Sequence, residues 1–164
     1  MSSEPLPLLS QAVRAQVDAF LSSRSTLALA TVGSEQTPQV APLFFVHTFS
    51  ERGALRVYWL SDPTSRHSAN LDARSKAAVA VYAPVWEWRE IRGVQMEGLA
   101  APVHEVAERE HVLALYRAKF PFVTAVTFAV LVRNATLYAL RVAWLRWLDN
   151  AQGFGHKREF RLPQ

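Results

Sequence analysis

At 164 residues, half of them hydrophobic and a fifth charged, the chain has a globular composition, with length for one domain and too little for two comfortable ones. It has no cysteine, which excludes disulfides, thiolate metal sites, iron–sulfur clusters and a cysteine nucleophile. The net charge of +4 favours anionic partners, but the basic residues are scattered, so a basic surface is the plainer reading and no nucleic-acid partner is expected.

"MSSEPLPLLS" lacks a basic segment followed by an apolar one, so it does not read as a secretory signal. The longest apolar run, Phe120 to Val132, is broken by Pro121 and is, at about 13 residues, too short to cross a bilayer. The expectation is a soluble, cytoplasmic protein without a membrane partner, forming one domain over 1–164. Residues 1–24 are its N-terminal helix and 150–164 a C-terminal tail. Five Trp, nine Phe and four Tyr are generous for this length and point to an interface or a planar ligand as well as a core.

In chain order, Leu8, Leu9, Val13, Val17, Phe20 and Leu21 recur at helical spacing within Pro7–Ser22. "TLALATVG", "QVAPLFFVHTF" and "ALRVYWL" then read as three strands joined by the turn clusters "GSEQTP" and "SERG". In "SDPTSRHSAN", Pro63 suits the first helical position and Asp62 the cap, with the helix reaching about Arg74. "KAAVAVYAP" is a fourth strand. "VWEWREIRGVQMEGLAAPV" is a long fifth, with Trp86, Trp88, Val94 and Met96 in one alternating set and Gly93 and Gly98 marking bulges or close approach. "HEVAEREHVLALYRAKF" is helical. Phe122 to Val132 fits a helix or a strand, the helix being favoured. "TLYALRVAWLRWLDN" also fits both, because Tyr138, Leu140, Val142 and Trp144 alternate while Leu137, Leu140, Trp144 and Leu148 keep helical spacing. The tail carries two glycines and then charge. The series is mainly β with α, a closed or split antiparallel barrel with peripheral helices.

Four stretches can carry chemistry. If Asp62 caps a helix, the N–H groups of Thr64 and Ser65 leave its N-terminus as donors for an anion. Ser61, Thr64 and Ser65 add hydroxyls, Arg66 a two-pronged cation, and His67 and Asn70 lie on one face. A capped surface helix is the competing reading. His104, Glu108 and His111 share a helical face that can bind a divalent metal, but no fourth ligand is evident, and a solvated face with no metal is the expectation. "RGVQMEG" can let a planar ring approach the backbone, with Gln95 as a hydrogen-bonding partner; taken alone, an ordinary bulged strand is the better reading. In "DNAQGFGHK", Gly153 and Gly155 free the chain around Phe154, in what otherwise reads as a turn before a mobile tail. No Gly-x-Ser-x-Gly elbow or phosphate-binding P-loop is present, so chemistry, if any, falls to a borrowed cofactor.

The succession "TLALATVGSEQTPQVAPLFF", "VYWLSDPTSRHSANL", "AAVAVYA" and "RGVQMEGLAAPV" resembles the flavin-binding split barrel of the pyridoxamine 5'-phosphate oxidase-like superfamily, and "LDNAQGFGHK" resembles the ending of a small bacterial branch of it. The resemblance implies a six-stranded antiparallel split barrel and a homodimer with flavin mononucleotide (FMN) at the interface. It implies that Ser65, Arg66 and His67 hold the phosphate, with His67 standing where relatives carry a lysine. It places Leu60 and Ser61 against the flavin, and Pro42, Leu43 and Phe44 along the isoalloxazine ring. Arg92 and Gly93 match an arginine–glutamine pair, with Gln95 able to replace the missing amide. Trp147, Asn150, Phe154 and Lys157 approach from the other subunit. The implied function is hydride or electron transfer through flavin to an unknown small molecule, though not oxidation of pyridoxamine phosphate, whose arginine-containing motif is replaced by "DNAQGFGHKREF". The alternative is a non-catalytic flavin or haem binder acting as carrier or sensor.

Overall fold

The computed structural model describes residues 5–121 and 125–164. Helix α1 (Gln11–Ser22) is capped by Ser10, whose hydroxyl accepts from the Val13 N–H. Its apolar stripe, Val13, Val17, Phe20 and Leu21, plugs into the main core. The rest is one antiparallel sheet of β1 (Thr26–Val32), β2 (Pro38–Phe44), β3 (Val46–Phe49), β4 (Leu55–Ser61), β5 (Lys76–Tyr82), β6 (Arg92–Pro102), β7 (Thr136–Asp149) and β8 (Lys157–Arg161). The order is β2-β1-β5-β6-β7-β4-β3, with β8 added to β7.

The two ends of this sheet are consecutive in sequence. β2 and β3 are separated by Phe45 alone, so one run of chain, 38–49, forms both edges, and the sheet curls into a split barrel with Phe45 fully buried at the corner. The expected architecture holds, with eight strands rather than six. The second expected strand divides at Phe45. The expected tail contains β8, which forms a ladder with Leu148–Trp144 of β7; its charge is the exposed side of an edge strand.

β7, ambiguous in sequence, is a 14-residue strand. Its pairing with β6 shifts between Glu97 and Gly98, which face Trp144 and Val142, so Ala143 is the extra residue of a bulge. The bulge turns Val142 and Leu145 both inward, and Trp144 leaves the alternating set expected for it. Gly98 is required there: a Cβ would lie 1.9 Å from the Arg141 carbonyl oxygen. The fifth expected strand begins only at Arg92. Pro84 removes a ladder donor, Trp88–Glu90 forms a 3-10 turn, and Trp86 and Trp88 therefore stand in a loop instead of beside Val94 and Met96.

α2 (Arg66–Ala73) bridges β4 to β5. α3 (Val106–Lys119) and α4 (Ala125–Asn134) cover the outside of β4 and β7, where Val112, Leu113, Tyr116, Phe120 and Phe128 bury Val46, Tyr58 and Leu137. The favoured helix over 122–132 is observed from Ala125 onward; residues 122–124 lie outside the described residues. The Glu105 carboxylate caps α3 by accepting from the N–H groups of Ala107 and Glu108. The Glu108 side chain turns onto β4, where it pairs with Arg56 and accepts from the Tyr58 hydroxyl at 2.8 Å. The suspected metal face is thus drawn into an ion pair, and among the described residues no three metal-ligating side chains converge. No described helix is long and apolar enough to cross a membrane.

Candidate functional site

β4 and β2 meet at the split of the barrel without a ladder, and one side chain joins them. The Tyr116 hydroxyl donates to the Phe44 carbonyl at 2.8 Å and accepts from the Leu60 N–H at 3.2 Å, with the Tyr58 carbonyl 3.3 Å away. Phe44 and Leu60, far apart in sequence, are thereby held at one seam. Pro42 and Phe44 face outward on β2, while Leu43 packs toward the barrel core. Burial pushes the Tyr116 hydroxyl above the ordinary tyrosine range, so it remains a donor at neutral pH.

Just past the seam, β4 ends at Ser61 and the chain turns. Asp62 does not cap α2. Its carboxylate accepts from the Thr64 N–H and hydroxyl, both at 2.7 Å, while the Ser65 N–H donates to the Asp62 carbonyl. This tight turn delays the helix by three residues, so Ser65 is the cap and Pro63 stands outside. The orphan first-turn donors are therefore the N–H groups of Arg66 and His67, not those of Thr64 and Ser65. Arg66 is exposed and makes no hydrogen bond or ion pair among the described residues. His67 is buried, with Nε2 in hydrogen-bonding contact with the Ser61 hydroxyl and 3.0 Å from that of Ser65. Burial lowers its pKa from 6.5 with no charged partner opposing, so the imidazole is neutral at pH 7.

Asn70 does not converge with His67 on one point. Its amide donates to the Thr31 hydroxyl and the Gln39 side-chain carbonyl, both at 3.0 Å, fastening α2 to the β1–β2 hairpin. Beside Leu60, Ser61 and Asp62 opens a groove of about 600 Å³, walled by Val126, Val130 and Leu131 of α4. The seam cluster thus combines hydroxyls, free N–H groups and one guanidinium with an apolar trough.

The remaining candidates lie elsewhere. Arg92 is ion-paired with Asp149 at 3.0 Å. A Cβ on Gly93 would stand 3.2 Å from the Val81 carbonyl, so this glycine serves the β5–β6 approach. Gln95 accepts from Arg146, which also holds Glu159. Asn150 is buried: its amide donates to the Trp88 carbonyl at 2.8 Å and accepts from the Gly155 N–H at 3.1 Å, stapling two loops together. Phe154 projects into solvent with its edge against Trp88, and Lys157 opens β8 with its side chain exposed. Trp147 is a correction to the expected set. It is 4% exposed, inside the barrel with Phe20 at 5.3 Å, and cannot reach another subunit.

These candidates form two groups at opposite ends of one strand. Ser61 pairs with Thr136 at the start of β7, and Arg92 with Asp149 at its end. Fourteen strand residues span on the order of 45 Å, so one small ligand cannot touch both groups within one chain. Sequence reasoning missed Tyr116, whose available signal was a phenol on the apolar stripe of an amphipathic helix, where a buried hydroxyl needs a partner.

A family model described as pyridoxamine 5'-phosphate oxidase matches residues 13–146. No curated protein sequence matches the chain. Among solved structures, a haem storage protein from Vibrio cholerae superposes with a TM-score of 0.63 at 20% identity over 78% of this chain and 88% of that one. A haem-binding protein from Mycobacterium smegmatis gives 0.63 at 22% identity over 98% of this chain and 60% of that one. A protein of the pyridoxinephosphate oxidase family from Clostridium acetobutylicum, related to a general stress protein, gives 0.63 at 10% identity over 93% and 96%. At these identities the likeness is one of fold.

Proposed function

The chain belongs to the pyridoxamine 5'-phosphate oxidase family, and from that premise we propose that it binds FMN as a homodimer and serves as an oxidoreductase on a small molecule. The observation that carries this reading is the cluster at the end of β4. Ser61 and Ser65 touch beside an apolar groove, and the exposed Arg66, without a partner among the described residues, opens α2 next to them with the unpaired first-turn N–H groups. That donor set suits a phosphate ester with an apolar body attached. The second cation expected there is the neutral His67, so the charge of the grip rests on Arg66.

A flavin held there supplies hydride and electron chemistry. The chain supplies a phosphate anchor, an apolar trough beside α4 and a seam fixed by Tyr116. The second group of candidates, around Arg92 and Phe154, contributes from the partner copy, because within one chain it is a strand's length away. A chain without cysteine is indifferent to redox compartment, and the cytoplasm is part of this proposal.

A haem-binding reading draws on the haem-binding neighbours and on His156, whose Nε2 is buried without a hydrogen-bond partner among the described residues. The spectrum of the purified protein separates the two: a flavin band or saturable FMN binding that raises the melting temperature is expected. A Soret band lost in His156→Ala replaces the flavin reading with haem.

A further inference from the structure

β4 and β8 lie on the same side of β7 and do not meet. Along β7, the β4 ladder ends at Arg141 and the β8 ladder begins at Trp144. At the two residues between, the edge of β7 is closed by other means. The Leu162 N–H donates to the Ala143 carbonyl at 3.0 Å, and the Gln164 side-chain amide donates to the Val142 carbonyl at 3.1 Å. This break leaves a cavity of about 560 Å³ between the β3–β4 hairpin, the start of α3 and Pro163. A second cavity, of about 220 Å³, opens on the side of Pro102 and His104. Arg56, Arg141, Glu105 and Glu108 line both.

Arg56 and Arg141 are directly opposed on β4 and β7. Side chains so placed stand roughly 5 Å apart, and like charges there repel. Glu108 compensates Arg56, and it also accepts from the Tyr58 hydroxyl. Both Glu105 carboxylate oxygens accept N–H groups at the start of α3. The exposed Arg141 guanidinium has no hydrogen bond, ion pair or ring contact among the described residues. A like-charge pair left half-compensated breaks a local rule of sheet pairing, and such breaks gather at functional sites.

The free guanidinium offers two parallel N–H donors, a match for the two oxygens of a carboxylate. Glu105 and Glu108 border the same cavity, so a dianion such as a phosphate monoester would meet two carboxylates for one free cation. A single negative charge suits the site better. Phe49, Ala54, Val142 and Pro163 give the larger cavity an apolar side for a hydrocarbon or aryl body. Along β4, Arg56 lies five residues from Ser61, on the order of 17 Å, so an occupant here is separate from one at the Ser61 end. We infer that Arg141 anchors a second small-molecule site, for a monocarboxylate with an apolar body. Nothing in this site depends on what the Ser61 end of β4 holds.

The probe is 3-phenylpropanoate, titrated calorimetrically into the wild-type protein. Saturable binding of one probe per chain is expected. The uncharged 3-phenylpropanamide should bind at least about tenfold more weakly, the lower end for losing a charge-assisted hydrogen bond. Arg141→Gln should weaken the acid by a similar factor without lowering the melting temperature, because it relieves the repulsion with Arg56. In Arg66→Ala, where the phosphate grip is removed, the acid should bind as in wild type and phenyl phosphate more weakly than the acid. No saturable binding by wild type, equal affinities for acid and amide, or undiminished affinity in Arg141→Gln overturns the inference. Loss of the acid in Arg66→Ala places it at the phosphate grip and overturns the inference too, as does tighter binding of phenyl phosphate in that variant.

Discussion

Tyr116→Phe keeps the ring that packs against Phe120 and removes only the hydroxyl that joins β2 to β4. The Leu60 N–H loses its acceptor at the seam, and the Phe44 carbonyl loses this donor. Each such lost partner costs about 1–3 kcal/mol when fully buried; both bonds here are only part-buried, which keeps the expected loss to about 2–4 kcal/mol in all. For a chain of this size that is a fall in melting temperature of roughly 4–16 °C. Urea unfolding is the assay, with the midpoint falling and the slope unchanged if the native state stays compact. Because the seam also positions Ser61, FMN affinity should fall with stability. A loss below about 0.5 kcal/mol would refute the role given to this hydroxyl, since surface substitutions of no structural consequence lie in that range.

Gly98→Ala should cost about 3 kcal/mol or more or prevent folding, because its Cβ meets the Arg141 carbonyl at 1.9 Å; a variant melting like wild type would contradict the bulge. Lys119 donates to the Leu21 carbonyl and lies 3.9 Å over the Phe45 ring, and burial pushes its pKa down to about 8 from 10.5. Between those two values the unfolded chain binds more protons than the folded one, so stability should rise with pH across that window. Lys119→Met should flatten the rise, and an unchanged slope in the variant would assign it elsewhere. Arg66→Ala should weaken FMN by about 1.5–3 kcal/mol, the range for a hydrogen bond to a charged group; calorimetric titration showing equal affinity would place the phosphate at another site.

Where local pattern and pairing agree, the fold was legible. β1 and β5 bury every second residue, and α1 keeps its stripe. β7 was not legible because one extra residue, Ala143, inverts its alternation midway, and a bulge is a property of two strands together. β8 read as a tail because its partner, 144–148, is set by tertiary pairing. The start of α2 was misplaced because Asp62 and Ser65 both have capping chemistry, and only the turn geometry chooses between them. The site was half legible. Ser61 and Ser65 touch at the end of β4, and the exposed Arg66 opens α2 beside them. His67 and Asn70 carry residue types that suit an anion, yet hydroxyls and a neighbouring hairpin claim them. Trp147 shows the limit of carrying a role over by motif, since the inward turn after the bulge decides its side.

The central claim is that the end of β4 grips a phosphate and that an apolar ring follows it. Paired titrations of the wild-type protein with FMN and with riboflavin, which differ only in that phosphate, test it most directly. The account predicts saturable binding of one FMN per chain, with riboflavin weaker by at least about tenfold, the lower end of a charge-assisted hydrogen bond. Equal affinities for the two, or no saturable binding of FMN, would contradict it.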